Sequence, residues 1–256
     1  MTLPAKSYLV CASPRSGTTM LCRALSDTEI AGRPDEYFLA EDPKELPEWR
    51  FWEEGPFGVF SGAVDRESYL DAVYRMGSTS NGVFGAKLMW NNVRWALAKF
   101  QEMPRFSSFD RSQVFHTVFP DLRVIHVTRR DRVRQAVSWA RMAQDGVWVV
   151  SDNEPAPPPR PLEYRYDLIN GLEGLIIEGE QGWRELFGEL GVSPLELSYE
   201  DLVTDDGYEH AVRAVIGHLQ IEAADVVVPP RRTHRQADDL TEEWVVRYEA
   251  DRALRA

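Results

Sequence analysis

Tyr8-Leu9-Val10-Cys11-Ala12-Ser13-Pro14-Arg15-Ser16-Gly17-Thr18-Thr19-Met20-Leu21 passes from an apolar run through a polar turn into a second apolar pattern. Its first five residues are a short apolar run of the buried-strand type. The next five carry Pro and Gly and read as a turn. Met20, Leu21, Ala24 and Leu25 then recur at helical spacing. A strand, a small polar loop and a helix start form an anion site, because unpaired backbone N–H groups and the positive end of the helix dipole converge there. Thr18 and Thr19 add hydroxyl donors, and Arg15 adds a fixed charge suited to oxyanions. Taken alone, the segment also fits a plain βα turn with a surface arginine.

Three further runs read as strands: Val83 to Met89, Leu122 to Thr128, and Leu195 to Tyr199. After the third strand, Val133, Ala136, Val137 and Ala140 fall at i, i+3, i+4 and i+7, the stripe of an amphipathic helix. A longer helical pattern follows through Leu168, Leu172, Leu175, Ile176, Trp183, Leu186, Phe187 and Leu190. This alternation predicts an α/β fold, a mainly parallel sheet flanked by helices, in a single domain over residues 1–256. Residues 39–66, rich in Glu, Pro and Gly, and Ser151 to Pro161, with five prolines, read as long surface loops that shape or cover a cleft.

Composition is ordinary for a globular chain: 256 residues, 43% hydrophobic and 27% charged. No apolar run reaches the roughly 20 residues of a membrane span, and Met1 to Lys6 lacks a signal-peptide core, so a cytoplasmic location is expected. Cys11 and Cys22 are too few for a disulfide framework and are expected to be small buried residues. A net charge of −12 disfavours nucleic acid and anionic membranes as partners, so an anionic ligand needs a local basic pocket. His116, His126, His210, His218 and His234 form no spaced ligand set, and no metal is expected.

The nucleotide-hydrolase form of such a loop places Lys directly after its second Gly, followed by a Ser or Thr for Mg²⁺. Here Thr18 follows Gly17. Ser13-Pro14-Arg15-Ser16-Gly17-Thr18-Thr19 instead resembles the 5′-phosphosulfate loop of sulfotransferases that use 3′-phosphoadenosine 5′-phosphosulfate (PAPS), commonly P-K-S-G-T-T, with Arg15 in the lysine position. Val127-Thr128-Arg129-Arg130-Asp131, leading to Gln135-Ala136-Val137-Ser138-Trp139, resembles the family's 3′-phosphate element, an arginine at a strand end and a serine on the next helix. A spacing of eight before Ser138 selects Arg130 and a spacing of nine selects Arg129, so both are candidates. Ser198-Tyr199-Glu200-Asp201-Leu202 resembles the S-Y-E-D-L segment near the nucleotide.

A narrower resemblance is to the bacterial trehalose 2-sulfotransferase family. It is carried by Ala31 to Phe38, Gly85 to Asn91, Gln135 to Trp139, Arg235 to Asp238, and Trp244 with Tyr248. The resemblance implies a P-loop-type domain, PAPS as donor, 3′,5′-ADP (PAP) as product, a small-molecule hydroxyl acceptor and a homodimer. It assigns the donor to Ser13, Arg15, Ser16, Gly17, Thr18, Thr19, Arg129 or Arg130, Ser138, Tyr199, Arg235 and Gln236. Lys87 is the family's strand lysine and, with Arg15, serves catalysis. Many relatives place a histidine base two residues after that lysine; here the position is Met89, which takes no proton. The resemblance supplies Glu36 as the base instead, a role that partial burial would favour by raising its pKa.

Arg33 stands where trehalose-sulfating members carry an acidic residue. Carboxylates suit the hydroxyls of a neutral sugar, whereas arginine suits a carboxylate, a phosphate or a ring face. The expected acceptor, touched by Arg33 and Glu36, therefore differs from trehalose. Two other classes fit the loop alone: a kinase or nucleotide hydrolase, which would need Mg²⁺ and the missing lysine, and a nucleotide-binding protein without catalysis.

Overall fold

The structure, a computed structural model, describes residues 3–38, 66–146, 161–222, 226–231 and 238–255. Four strands, β1 (Lys6–Ala12), β2 (Val83–Met89), β3 (Leu122–Thr128) and β4 (Leu195–Ser198), lie in the order β2-β1-β3-β4, each pair parallel. Ala12 pairs with Met89 on one side and Val127 on the other, and Thr128 pairs with Ser198. That register levels the carboxyl ends of all four strands, the edge at which open α/β sheets bind ligands.

The helices are α1 (Thr18–Asp27), α2 (Arg66–Gly77), α3 (Trp90–Gln101), α4 (Arg111–Val118), α5 (Arg132–Asp145), α6 (Tyr166–Leu190), α7 (Tyr199–Leu202), α8 (Asp205–His218) and α9 (Asp239–Arg255). They cover the sheet on both faces, as strand alternation demands. Leu9 and Cys11 of β1 face a core shared with α2, α3, α4 and the second half of α6. Tyr8, Val10 and Ala12 face the opposite core, shared with α1 and α8. A third cluster joins α5, α6 and α9 through Ala136, Val137, Ile169, Ile176, Trp244 and Tyr248. Burial on both faces is why β1, β2 and β3 read as unbroken apolar runs.

The first three strands end where the sequence predicts. The fourth stops one residue sooner, at Ser198, because the Ser198 hydroxyl accepts the Asp201 N–H and caps α7, which begins at Tyr199. The loops expected at 39–66 and 151–161 lie, apart from Arg66 and Pro161, outside the described residues. Among the described helices none is long and apolar enough to cross a membrane.

Candidate active site

Residues 13–17 connect β1 to α1, and three distant side chains hold the carbonyls of this connection. Trp183 Nε1 of α6 donates to the Ala12 carbonyl at 3.0 Å. Gln135 Nε2 of α5 donates to the Pro14 carbonyl at 2.8 Å. Arg129 Nη1 donates to the Arg15 carbonyl at 3.3 Å. Across a trans peptide the C=O and the following N–H point in opposite directions. Fixing those carbonyls therefore turns the N–H groups of Ser13, Arg15 and Ser16 away from the scaffold. Arg15 (φ 67) and Gly17 (φ 82) are both left-handed, an arrangement that gathers successive N–H groups into a concave anion nest.

For Arg15 that conformation costs roughly 1–2 kcal/mol, so strain is concentrated in the loop. Gly17 is required twice over: a Cβ there would lie 2.8 Å from Cδ2 of Tyr199 as well as at positive φ. It caps α1 without any side-chain hydrogen bond, and the first turn carries no acid, which leaves the positive helix end open. Gly179 of α6 is needed for the same packing, because a Cβ there would stand 2.6 Å from Ser13 Oγ.

Ser13 Oγ, Ser16 Oγ and Arg129 Nε are buried with no hydrogen-bond partner among the described residues. An orphaned buried polar group costs about 1–3 kcal/mol. Three around one loop fit a site shaped for an anion with many oxygens. Arg15 Nε donates to Ser138 Oγ at 3.0 Å, tying the loop to α5. The Arg129 guanidinium lies over the Tyr199 ring, 4.2 Å from its centroid. Burial pushes the pKa of Arg15 down, and the neighbouring Arg129 pushes it further; burial also lowers Arg129. Two guanidiniums gathered this closely favour a multiply charged anion between them.

The two arginines at the end of β3 part company here. Arg129 is 7% exposed and faces the loop. The Arg130 side chain is 65% exposed and is engaged by Asp201 at 2.7 Å and Glu200 at 3.4 Å.

On the other rim, residues 32–37 return along the outer side of β2. Gly32 (φ 70) makes the approach possible, since a Cβ there would meet the Gly85 nitrogen at 2.7 Å. The Lys87 N–H donates to the Asp35 carbonyl at 2.9 Å, which sets residue 36 beside residue 87. Glu36 Oε1 then meets Lys87 Nζ at 2.7 Å, and the same ammonium reaches Thr19 Oγ1 at 3.3 Å. Lys87 therefore bridges the start of α1 and the carboxylate. Burial works against its charge, but the Glu36 carboxylate, with Cys22 and Asp35, outweighs that effect and raises its pKa. Asp35 is held up by burial, with Lys87 opposing, and its Oδ1 accepts the Glu36 N–H at 2.8 Å.

Arg33 donates through Nη1 to the Ser78 carbonyl at 2.8 Å and through its backbone N–H to the Gly77 carbonyl. Arg235 and Gln236 lie outside the described residues. Trp183, Asp35 and the Gln135 amide carry no sequence signal for a role in the site. Side-chain bonds to carbonyls more than a hundred residues away leave no local pattern to read.

An anion nest, two converging arginines and an ammonium–carboxylate pair on one rim define a site for moving an anionic group. A family model described as Stf0 sulphotransferase matches residues 7–251, and the chain belongs to that family, whose members are enzymes of sulfuryl transfer. It is 31% identical over 260 residues to the trehalose 2-sulfotransferase of Mycolicibacterium smegmatis, covering 96% of this chain and 95% of that one. It is 29% identical over 269 residues to the trehalose 2-sulfotransferase of Mycobacterium tuberculosis, covering 98% and 97% of the two chains.

Proposed function

We propose that the chain, as a single domain, transfers the sulfuryl group of PAPS to a hydroxyl of a carbohydrate or a glycosylated small molecule. The observation that carries this reading is the set of orphaned donors at Ser13, Ser16 and Arg129 around a loop rimmed by the Lys87–Glu36 pair. PAPS supplies the sulfuryl group and, as PAP, the leaving oxygen. The loop N–H groups, Arg15, Thr18 and Thr19 hold the 5′ end. Arg129 with Ser138, rather than Arg130, holds the 3′-phosphate, because Arg130 is occupied by Glu200 and Asp201 at the surface.

Transfer of this kind depends mostly on alignment and on stabilising charge at the leaving oxygen. Glu36 takes the acceptor's hydroxyl proton as that oxygen bonds to sulfur and the bond from sulfur to the leaving oxygen breaks. Protonation of Glu36 ends its ion pair with Lys87. The ammonium, already 3.3 Å from Thr19 Oγ1, is then available to the oxygen released beside the loop. One group thus couples deprotonation of the acceptor to stabilisation of the leaving group.

The relatives act on trehalose, so trehalose heads the acceptor panel. Arg33 has one donor held by the Ser78 carbonyl, and its remaining N–H groups favour an acceptor with a carboxylate, a phosphate or an exposed ring face over the plain disaccharide. Competition between trehalose and such acceptors tests this: trehalose as the best acceptor would remove it. The donor site is tested by thermal melting with PAP and with ATP plus Mg²⁺. PAP at about 100 times its Kd stabilises by about 2.7 kcal/mol, or about 5–10 °C at this size. A larger shift with ATP and Mg²⁺ would overturn the donor assignment.

A further inference from the structure

Tyr199 is the first residue of α7, directly after β4, and its ring is wedged between the two halves of the anion site. On one side, Cδ2 lies 2.8 Å from where a Cβ on Gly17 would stand. On the other, Arg129 Cζ is 4.2 Å from the ring centroid. Among the described residues Arg129 is otherwise tied by one bond, to the Arg15 carbonyl, whose 3.3 Å length is at the weak end of the range. The ring is therefore the main restraint on the plane of the guanidinium.

Arg129 sits among charges of both signs, with Arg15 and Arg134 alike and Asp131 and Glu200 opposite, so charge alone does not fix the plane of a guanidinium on a long stem. Tyr199 supplies the hold through cation–π attraction and is itself braced against Gly17. The brace also fixes the distance between the loop and Arg129, which is the distance between the 5′ and 3′ anions of the donor.

We infer that Tyr199 is a positioning residue that keeps Arg129 in place for the 3′-phosphate, and so sets the preference for 3′-phosphorylated nucleotides. The inference rests on the assignment of Arg129 made above. Its test needs no acceptor. Calorimetry gives the Kd of 3′,5′-ADP and of 5′-AMP for the wild type, Tyr199→Phe, Tyr199→Leu, Arg129→Gln and the Arg129→Gln/Tyr199→Leu double variant.

The wild type is expected to prefer 3′,5′-ADP by at least about tenfold, the return from one charge-assisted contact. Tyr199→Phe keeps the ring and keeps that preference. Tyr199→Leu reduces the preference by about threefold to tenfold while 5′-AMP binding changes little. In the Arg129→Gln background the Leu substitution has no further effect on the preference. If Tyr199→Leu does not melt cooperatively, Tyr199→Met carries the same comparison.

The inference is overturned if the preference survives loss of the ring, or if both nucleotides weaken equally, which would mark a contact with their shared part. It is also overturned if the ring matters as much without Arg129. A wild type with no preference between the two nucleotides would instead remove the assignment of Arg129, and the inference with it.

Discussion

Replacing Lys87 with Met separates what this residue does for the fold from what it does for the reaction. Methionine keeps most of the buried stem, and the ammonium alone is lost. Breaking a fully buried ion pair costs about 3–5 kcal/mol, because the abandoned partner stays charged away from water. Glu36 is not in that position: its side chain is 24% exposed against 7% for Lys87, so water takes up the carboxylate. The desolvation of the ammonium is also relieved. The stability loss is therefore placed at about 1–2 kcal/mol, or about 2–8 °C in Tm for a chain of this size. With a typical stability of about 5–15 kcal/mol, the variant stays folded at 25 °C.

The reaction is more sensitive. Losing one donor aimed at developing charge lowers kcat by about 10²–10³, equivalent to about 2.7–4 kcal/mol. PAP affinity, which the proposed donor site rests on the loop and the arginines, is expected to change far less. The assay pairs kcat for the best acceptor with calorimetric PAP binding and a melting curve. A kcat within about threefold of wild type, with the protein folded and PAP bound, would refute the role given to Lys87.

Gly17→Ala is expected to weaken PAP binding at least about tenfold, because the new Cβ meets Tyr199 at 2.8 Å and sits at φ 82; unchanged calorimetric affinity would count against the nest. Asp35→Asn keeps an acceptor for the Glu36 N–H. Burial raises the pKa of Asp35, so the native state binds the proton more tightly than the unfolded chain. The stability contributed by Asp35 is full below its unfolded value of about 3.9 and is lost as pH rises through the higher folded value. Asp35→Asn is therefore expected to melt higher than wild type near neutrality, and the gain should vanish toward pH 3; a gain that persists at pH 3 would contradict this. Gly182→Ala places a Cβ 2.0 Å from the Trp90 ring, and a lowered Tm is expected; an unchanged Tm would show that α6 shifts freely over Trp90.

The strands were legible because a parallel sheet buried on both faces writes itself as apolar runs closed by turn residues. The Leu122–Thr128 and Val83–Met89 strands match their runs residue for residue. The end of β4 was misread by one residue because the Ser198 cap is set by a hydroxyl and not by an apolar pattern. The helices α2, α3, α4 and α8 were not read, and they complete the two main cores. In the site, the loop was visible, but the sequence pattern set Ser138 with the arginines at the end of β3, whereas its hydroxyl accepts from Arg15 Nε, and the different burial of Arg129 and Arg130 was not visible. Adjacent residues at a strand end have near-equal sequence context, and only the packing separates the buried one from the exposed one. Likewise, nothing in the residues around Trp183 or Gln135 announces that they hold the Ala12 and Pro14 carbonyls.

Sulfuryl transfer by this chain is measured by mass spectrometry of candidate acceptors incubated with the enzyme and PAPS, with PAP quantified in the same samples. The expected result is a gain of one sulfuryl group on a carbohydrate or glycosylated acceptor, one PAP per product, and loss of both signals in Glu36→Gln. No sulfated product across the panel while PAP binds tightly, or a phosphoryl gain with ATP and Mg²⁺ instead, would contradict it.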